Sequence, residues 1–144
     1  MNKKKIDAMM IAAADILESN KHFILENGKM PKKYLSAISA FGPSIVQTGL
    51  RQTLNFYSRN EKPEYQSRFN ILQLLLKTLE NINYLPDKSP DLDLNGYLKI
   101  HWDKAPFHTR IQLKYCFLEA CTACKLVLRT YPKKEEEDKH NERF

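Results

Sequence analysis

Cys121 and Cys124 are separated by two residues, the spacing in this chain that most resembles a metal or redox site. A structural zinc ion needs four ligands, usually two such cysteine pairs or one pair with two closely spaced histidines. Neither His101 nor His108 flanks the cysteines. Redox pairs normally sit where a strand enters a helix, whereas these cysteines fall inside a predicted helix. We therefore predict that both are small buried apolar residues and that the protein uses no metal or other cofactor.

The segment His101-Trp102-Asp103 contains residue types that are used in acid–base catalysis. A general acid and a general base must converge on one pocket, but adjacent residues on a helix do not face one another. The sequence also has no glycine-rich phosphate loop, metal-binding helix motif or nucleophile elbow. These patterns predict a protein that is not an enzyme.

Basic residues are the remaining group with a chemical role, since the formal charge is +6 and the isoelectric point about 9.2. Such a balance is compatible with nucleic acid or with an acidic protein surface. Four bases of the last predicted helix fall within an arc of about 100° when the helix is wound at 100° per residue. They span about 28 Å, enough to follow several phosphates of an extended strand. We call these residues the basic stripe: Arg110, Lys114, Lys125 and Arg129.

Further candidate contacts lie earlier in the chain. A short basic joint holds Lys32 and Lys33, and the following segments contribute Arg51 and Arg59. Charged residues of this kind are rarely buried without a partner, so all of them are expected at the surface. For any single one of them, a solvated side chain without a binding role is the simpler interpretation.

Helices are the elements that must position these residues, because apolar residues recur at helical spacing and no useful stretch alternates as a strand does. We predict one all-α domain, residues 1–132, a compact bundle of five to seven helices. A charged, flexible tail, 133–144, follows it. The tail holds four basic and five acidic residues, which leaves the body with a charge of +7. The predicted helices cover 3–26, 34–41, 43–57, 63–82, 94–102 and 106–131.

The helix predicted for 43–57 contains a glycine. Gly42-Pro43 is expected to begin it, because proline at the first helical position loses no hydrogen bond. Gly49 inside the pattern costs about 1 kcal/mol relative to alanine, so it requires either a positive φ or the close approach of a neighbouring helix. We favour the close approach. The predicted buried face comprises Val46, Leu50, Leu54 and Tyr57.

This stretch resembles the signature helix of the small subunit of the type III-B CRISPR (Cmr) RNA-targeting complex. Thr48 and Asn55 differ from the family pattern, in which an asparagine and a small apolar residue are expected. A short helical domain, a Lys-Lys-Tyr segment before the motif and a long last helix are also similar, so the resemblance covers roughly residues 1–131. The motif residues that carry it are Pro43, Ile45, Gly49, Leu50, Gln52, Thr53, Leu54 and Phe56.

The resemblance implies a non-catalytic subunit in antiviral defence. It would stack with copies of itself and with other Cmr subunits along a filament of guide RNA and target RNA. Its basic face would hold target RNA through the backbone, while sequence is recognised by guide–target pairing and cleavage belongs to other subunits. Two alternatives remain open: the small subunit of the type III-A complex, against which the Gly49-to-Phe56 motif argues, and a helical adaptor that binds an acidic protein and no RNA.

The location is predicted from the apolar runs. The N-terminal run between Asp7 and Asp15 is too short for a secretory signal, and no run approaches the roughly 20 residues of a membrane helix. An odd number of cysteines, three, indicates reduced thiols. We therefore expect a cytoplasmic protein that does not contact a membrane.

Overall fold

The computed structural model describes residues 2–19, 24–85 and 93–134, and these residues form a helical bundle without strands. The prediction of an all-α bundle with five to seven helices is confirmed. Residues 135–144 of the predicted tail lie outside the described part. No helix within the described ranges is both long enough and apolar enough to cross a membrane. The helices are α1 Lys3–Ser19, α2 Lys32–Thr48, α3 Leu50–Tyr57, α4 Gln66–Asn81, α5 Leu94–Leu98 and α6 Phe107–Leu128, with a 3-10 turn at Pro63–Tyr65 and a π-helical turn at Lys99–Asp103.

The core lies between α4 and α6, which contact each other and both contact α1 and α2. α4 occupies a central position in the bundle, and its apolar residues Leu72, Leu75, Leu76 and Leu79 are buried. Additional residues of α4 are buried because α1, α2, α3 and α6 all pack against this helix. They are Asn70, Ile71, Leu74 and Thr78.

α6 begins directly after Pro106 as predicted and ends at Leu128, three residues earlier than expected. One face of this helix is apolar and buried, at Leu113, Phe117, Ala120, Cys124 and Val127. The helix runs antiparallel to α2, as three contacts along the pair show. The Phe41 and Phe117 ring centroids are 6.5 Å apart, Cys121 Sγ lies 3.5 Å from the Ile38 carbonyl oxygen, and the Met30 amide donates to the Pro132 carbonyl at 2.7 Å.

The first helix is shorter than predicted. α1 ends at Ser19, residues 20–23 lie outside the described part, and Asn27-Gly28 is not a helix cap. Asn27 and Gly28 have φ values of 53° and 75°, and Glu26 and Lys29 exchange both backbone hydrogen bonds at 2.9 Å. Two successive positive φ values between paired residues define a two-residue hairpin turn of type I′, for which Asn-Gly is the favoured sequence. The Asn-Gly pair that indicates such a turn was present in the sequence, but the apolar residues before it recur at helical spacing and favoured a helix up to residue 26.

The predicted boundary at Gly42-Pro43 is wrong, because α2 continues through both residues. Proline inside a helix removes one hydrogen bond and crowds the preceding turn, at a cost of about 3 kcal/mol. Phe41 and Ile45, on either side of Pro43, are fully buried. Packing of this face against the core therefore holds the helix together despite the proline, as tertiary contacts commonly do.

Gly49 separates α2 from α3 and has φ 92° and ψ 159°, a region that is essentially restricted to glycine. A Cβ atom at this position would meet nothing within 4 Å. The explanation by close approach is therefore wrong, and the positive φ is the reason for the glycine. The break also changes the helical phase, which is why Leu50, Leu54 and Tyr57 are buried while Val46 is 71% exposed.

The joint between α2 and α3 is fixed by side chains of the signature motif. Thr53 shares a 2.8 Å hydrogen bond with Ser44. The Tyr57 hydroxyl donates to the Ala37 carbonyl at 2.7 Å, and its ring packs edge-on against Phe41 with centroids 4.9 Å apart. Burial raises the pKa of Tyr57 to about 12. Leu50, Thr53 and Leu54 of the motif are buried, whereas Gln52 and Phe56 are exposed.

Gly49→Ala is expected to lower the free energy of unfolding by about 1–3 kcal/mol, because alanine must adopt the strained backbone of this joint. Gly42→Ala is the matched control. Its Cβ would lie 3.8 Å from Cys121 Sγ, an ordinary contact, and alanine favours the helix by up to about 1 kcal/mol. Urea unfolding of the two variants beside the unaltered chain measures both effects. Equal stabilities for the two variants would contradict the conformational role of Gly49.

Cys121 and Cys124 are buried in the core, as predicted, and Cys116 is partly exposed. Burial raises the pKa of Cys121 to about 11 and that of Cys124 to about 12. Cys124 Sγ lies 3.6 Å from the Thr78 hydroxyl inside the core. These surroundings keep both groups as thiols, which are poor nucleophiles and poor metal ligands.

Alkylation should therefore separate the cysteines by their surroundings. At about pH 8 iodoacetamide should label Cys116 first, while Cys121 and Cys124 react only at the rate at which the fold opens, because the reagent attacks thiolates that it can reach. Mass spectrometry of peptides from a time course gives the order. Labelling of Cys121 as fast as Cys116 would show that the α2–α6 contact is open in solution.

Candidate nucleic-acid interface

Three members of the basic stripe have ammonium or guanidinium groups available to a ligand. Lys114 and Lys125 are partly exposed, and Arg129 is exposed at the end of α6. None of the three forms an ion pair with an acidic side chain of the described residues. Glu119, the acidic residue of α6, is buried.

Arg110, the fourth member, is used inside the fold. Its guanidinium donates to the carbonyl oxygens of Asp103 at 3.0 Å and Ala105 at 3.2 Å. It also lies 5.8 Å from the centroid of the Trp102 ring. Arg110 therefore holds the segment between the π-helical turn and α6, and fewer of its donors remain for phosphate.

Arg51 and Arg59 are also engaged within the chain. Arg51 pairs with Asp103 at 3.3 Å and donates to the side-chain oxygens of Asn55 and Asn95, both at 2.9 Å. It thereby ties α3 to α5 and the π-helical turn. Arg59 pairs with Glu61 at 2.9 Å. The sequence could not reveal the contacts of Arg51, because Asn95 and Asp103 are far from it along the chain.

Lys32 and Lys33 lie in the first turn of α2 and belong to a larger group of lysines. Residues 133 and 134, assigned above to the tail, return to this point, where the Lys134 amide donates to the Met30 carbonyl at 2.9 Å. Glu26 accepts a hydrogen bond from the Lys134 ammonium. That bond, aided by the charges of Lys134 and Lys33, lowers the pKa of Glu26. We call the group the basic end: Lys29, Lys32, Lys33, Lys133 and Lys134.

The antiparallel packing of α2 and α6 places the basic end beside the last turn of α6, which carries Lys125 and Arg129. Lys29, Lys32 and Lys33 thus meet, at one end of the bundle, bases that lie about 100 residues further along the sequence. The lysines of the α2 first turn face the positive end of the helix dipole, an arrangement that disfavours folding by about 0.3–1 kcal/mol per charge. Their position therefore does not serve the stability of α2.

A second cluster combines cations with aromatic rings at the α3–α4 corner. The Arg68 guanidinium lies 4.4 Å from the centroid of Phe56 and 5.1 Å from that of Tyr65, and Arg59 lies 4.8 Å from Tyr65. Phe56 is 47% exposed although it belongs to the signature motif. Bases of a single strand stack on such rings. Helical spacing could not predict this cluster, because its members lie on two helices joined by a loop.

The profile of the CRISPR-associated protein family Cas_Cmr5 matches residues 8–102, well over half of the chain. The chain belongs to the Cas_Cmr5 family. It is therefore a small subunit of the type III-B CRISPR (Cmr) complex, as the resemblance of the 43–57 stretch implied. No curated protein and no solved structure showed a significant match.

The Cas_Cmr5 match divides the candidate residues into two groups. It includes the signature motif together with Lys32, Lys33, Arg51 and Arg59, and it ends before α6 begins at Phe107. The basic stripe therefore lies outside the matched segment, and its assignment rests on geometry and charge.

The free energy of unfolding distinguishes Arg110, which binds backbone carbonyls, from Lys114, whose side chain is available to a ligand. Arg110→Gln should lower the free energy of unfolding by about 1 kcal/mol, because two backbone carbonyls lose a charged donor, and it should shift the fluorescence emission of Trp102. Lys114→Gln, one turn along the same helix, should change neither quantity. Thermal melts and emission spectra measure both. A Lys114 variant as unstable as the Arg110 variant would contradict the division of the stripe.

Proposed function

We propose that this Cmr subunit is a non-catalytic cytoplasmic protein that helps to hold target RNA through the basic end together with Lys125 and Arg129. The observation that carries the proposal is the meeting of these cations at one end of the bundle. Of the acidic side chains that the structure describes, Glu26 is the one that pairs with a member of the basic end. The excess of positive charge suits a polyanion.

Such a surface acts on the RNA backbone. Lysine and arginine neutralise phosphates and release counterions, so binding is independent of sequence and weakens in salt. Sequence specificity in the assembled complex then comes from pairing between guide and target. A few phosphate contacts give one subunit little affinity, and several copies along one filament raise it by multivalency.

Contact with neighbouring subunits, including further copies of this chain, is assigned to the outer face of α6. Phe107, Ile111 and Tyr115 follow one another at intervals of four residues and are exposed, and Leu126 continues this face toward the end of the helix. Contiguous exposed apolar residues are typical of protein–protein contact sites. Lys114 and Lys125 border this face on the same helix, so stacking on it would bring cations of adjacent copies into one row.

The test compares two double variants in the reconstituted Cmr complex: Lys32→Glu with Lys33→Glu, and Lys3→Glu with Lys4→Glu as the control. All four lysines are exposed and lie at the start of a helix, where glutamate favours the helix dipole. The charge change and the effect on helix stability are therefore matched. Affinity for target RNA across a salt series is the measurement.

The Lys32/Lys33 variant should bind target RNA more weakly, with the slope of log affinity against log salt shallower by about 1.4, since each phosphate contact of a single strand contributes about 0.7. The Lys3/Lys4 variant should keep the slope of the unaltered complex. Equal slopes and affinities for both variants would show that the basic end does not contact RNA. Loss of protein subunits from the Lys32/Lys33 complex, with RNA affinity unchanged, would instead identify an adaptor surface for protein.

A further inference from the structure

A cleft of about 410 Å³ opens in the first half of α6, away from the basic end. The beginning of α1, the turn after α4 and the π-helical turn form its other walls. The volume lies within the range of small-molecule sites, about 300–1,000 Å³. None of the residues used above for the RNA-holding surface lines this cleft.

Glu119 lines the cleft and has fewer hydrogen-bond donors than a buried carboxylate requires. The residue is 7% exposed, and its Oε2 atom finds no donor among the described residues. The Lys5 ammonium lies 3.9 Å from Oε1, which is a loose ion pair. A carboxylate can accept about four hydrogen bonds, and its terminal torsion is soft. Because Oε2 is itself covered, a ligand that binds both oxygens requires the carboxylate to turn about this soft torsion.

Aromatic rings form much of the remaining lining. Tyr84 lies beneath the Lys5 ammonium at 4.6 Å, and His101 lies against Tyr97 with ring centroids 4.4 Å apart. Tyr115 stands at the rim and is 56% exposed. Flat rings around one carboxylate suit a flat ligand that carries its donors on one edge.

The charge around the cleft decides between two ligands with such an edge, a guanidinium group and a nucleobase. Lys5 already balances the charge of Glu119, and the whole chain carries +6. A positively charged arginine side chain from another protein would be repelled by both. A neutral base, or a nucleotide with its negative phosphate, would not.

We propose that this cleft binds a guanine base. Guanine presents two adjacent N–H donors, N1–H and the 2-amino group, which match the two oxygens of Glu119. Adenine and cytosine would place a ring-nitrogen acceptor against the carboxylate, and uracil has a single donor. Two sources can supply such a base, a free nucleotide and an unpaired position of an RNA strand. The inference is independent of the RNA-holding surface proposed above.

The experiment uses the isolated chain and guanosine monophosphate, with adenosine and uridine monophosphates for comparison. Trp102 is the single tryptophan and follows His101 directly, so its fluorescence reports binding, and calorimetry measures the same titration. Guanosine monophosphate should bind at least about tenfold more tightly than the other two, because a buried acceptor strongly disfavours ligands that leave it unpaired.

Two variants test the site, and a third controls for the loss of an exposed aromatic ring. Glu119→Gln should remove the preference for guanine, because an amide offers a single acceptor atom. Tyr115→Ala should weaken binding at least about tenfold through the lost stacking. Phe107→Ala, on the same helix and 76% exposed, lies outside the cleft, so the isolated variant should bind guanosine monophosphate as tightly as the unaltered chain. Thermal melts confirm that each variant is folded.

The two sources of the base are separated by oligoribonucleotides. A uridine 11-mer with one central guanosine that binds more tightly than guanosine monophosphate, and loses that advantage in Tyr115→Ala, identifies RNA as the source. Equal or weaker binding identifies the free nucleotide. The proposal is overturned if guanosine monophosphate does not bind up to about 10 mM, an interaction of less than about 3 kcal/mol, or if adenosine monophosphate binds equally well. Binding of arginine amide instead, with the same dependence on Glu119 and Tyr115, would overturn it in favour of a protein side chain.

Discussion

The packing of α2 against α6 in opposite directions determines where most other features of the molecule lie. Phe41 stands at the centre of this contact, between Phe117 of α6 and Tyr57 of α3. Because the helices are antiparallel, the start of α2 must lie beside the end of α6. The backbone pairing of Met30 with Pro132 and Lys134 completes that arrangement. The position of the basic end thus follows from core packing, and the pairing of Lys134 with Glu26 adds one side-chain contact to it.

Apolar periodicity was sufficient to predict the helices and most of the core, because burial of one helical face is the largest favourable contribution to folding. The errors came from positions where a local rule competes with the rest of the fold. Pro43 is tolerated inside α2 because the residues around it are buried. Asn27-Gly28 forms a hairpin turn, and Met30 just after it pairs with Lys133 near the other end of the described chain. Gly49 was identified as exceptional within a predicted helix, but the break there and its cause could not be distinguished from a close approach without the backbone angles.

The candidate site was less predictable than the fold. A helical projection correctly placed Lys114, Lys125 and Arg129 at the surface, since the side of the helix on which a residue lies follows from its position in the helix. It could not show that Arg51 binds side chains brought close by the tertiary fold, or that Arg110 turns back to carbonyl oxygens just before its own helix. Lys133 and Lys134 were missed for the converse reason, because composition alone made them part of a solvated tail. Charge can be counted along a sequence, but whether a cation is already paired depends on contacts distant in the chain.

The central position of α6 also affects how the chain folds during synthesis. α1, α2 and α4 each pack against this helix, and it is the last one that the described chain supplies. Until α6 has left the ribosome, the earlier helices contact one another but lack the face of α6 that covers Phe41 and parts of α1 and α4. The nascent chain therefore presents apolar surface that chaperones recognise, and the bundle is fully packed only after α6 has been synthesised.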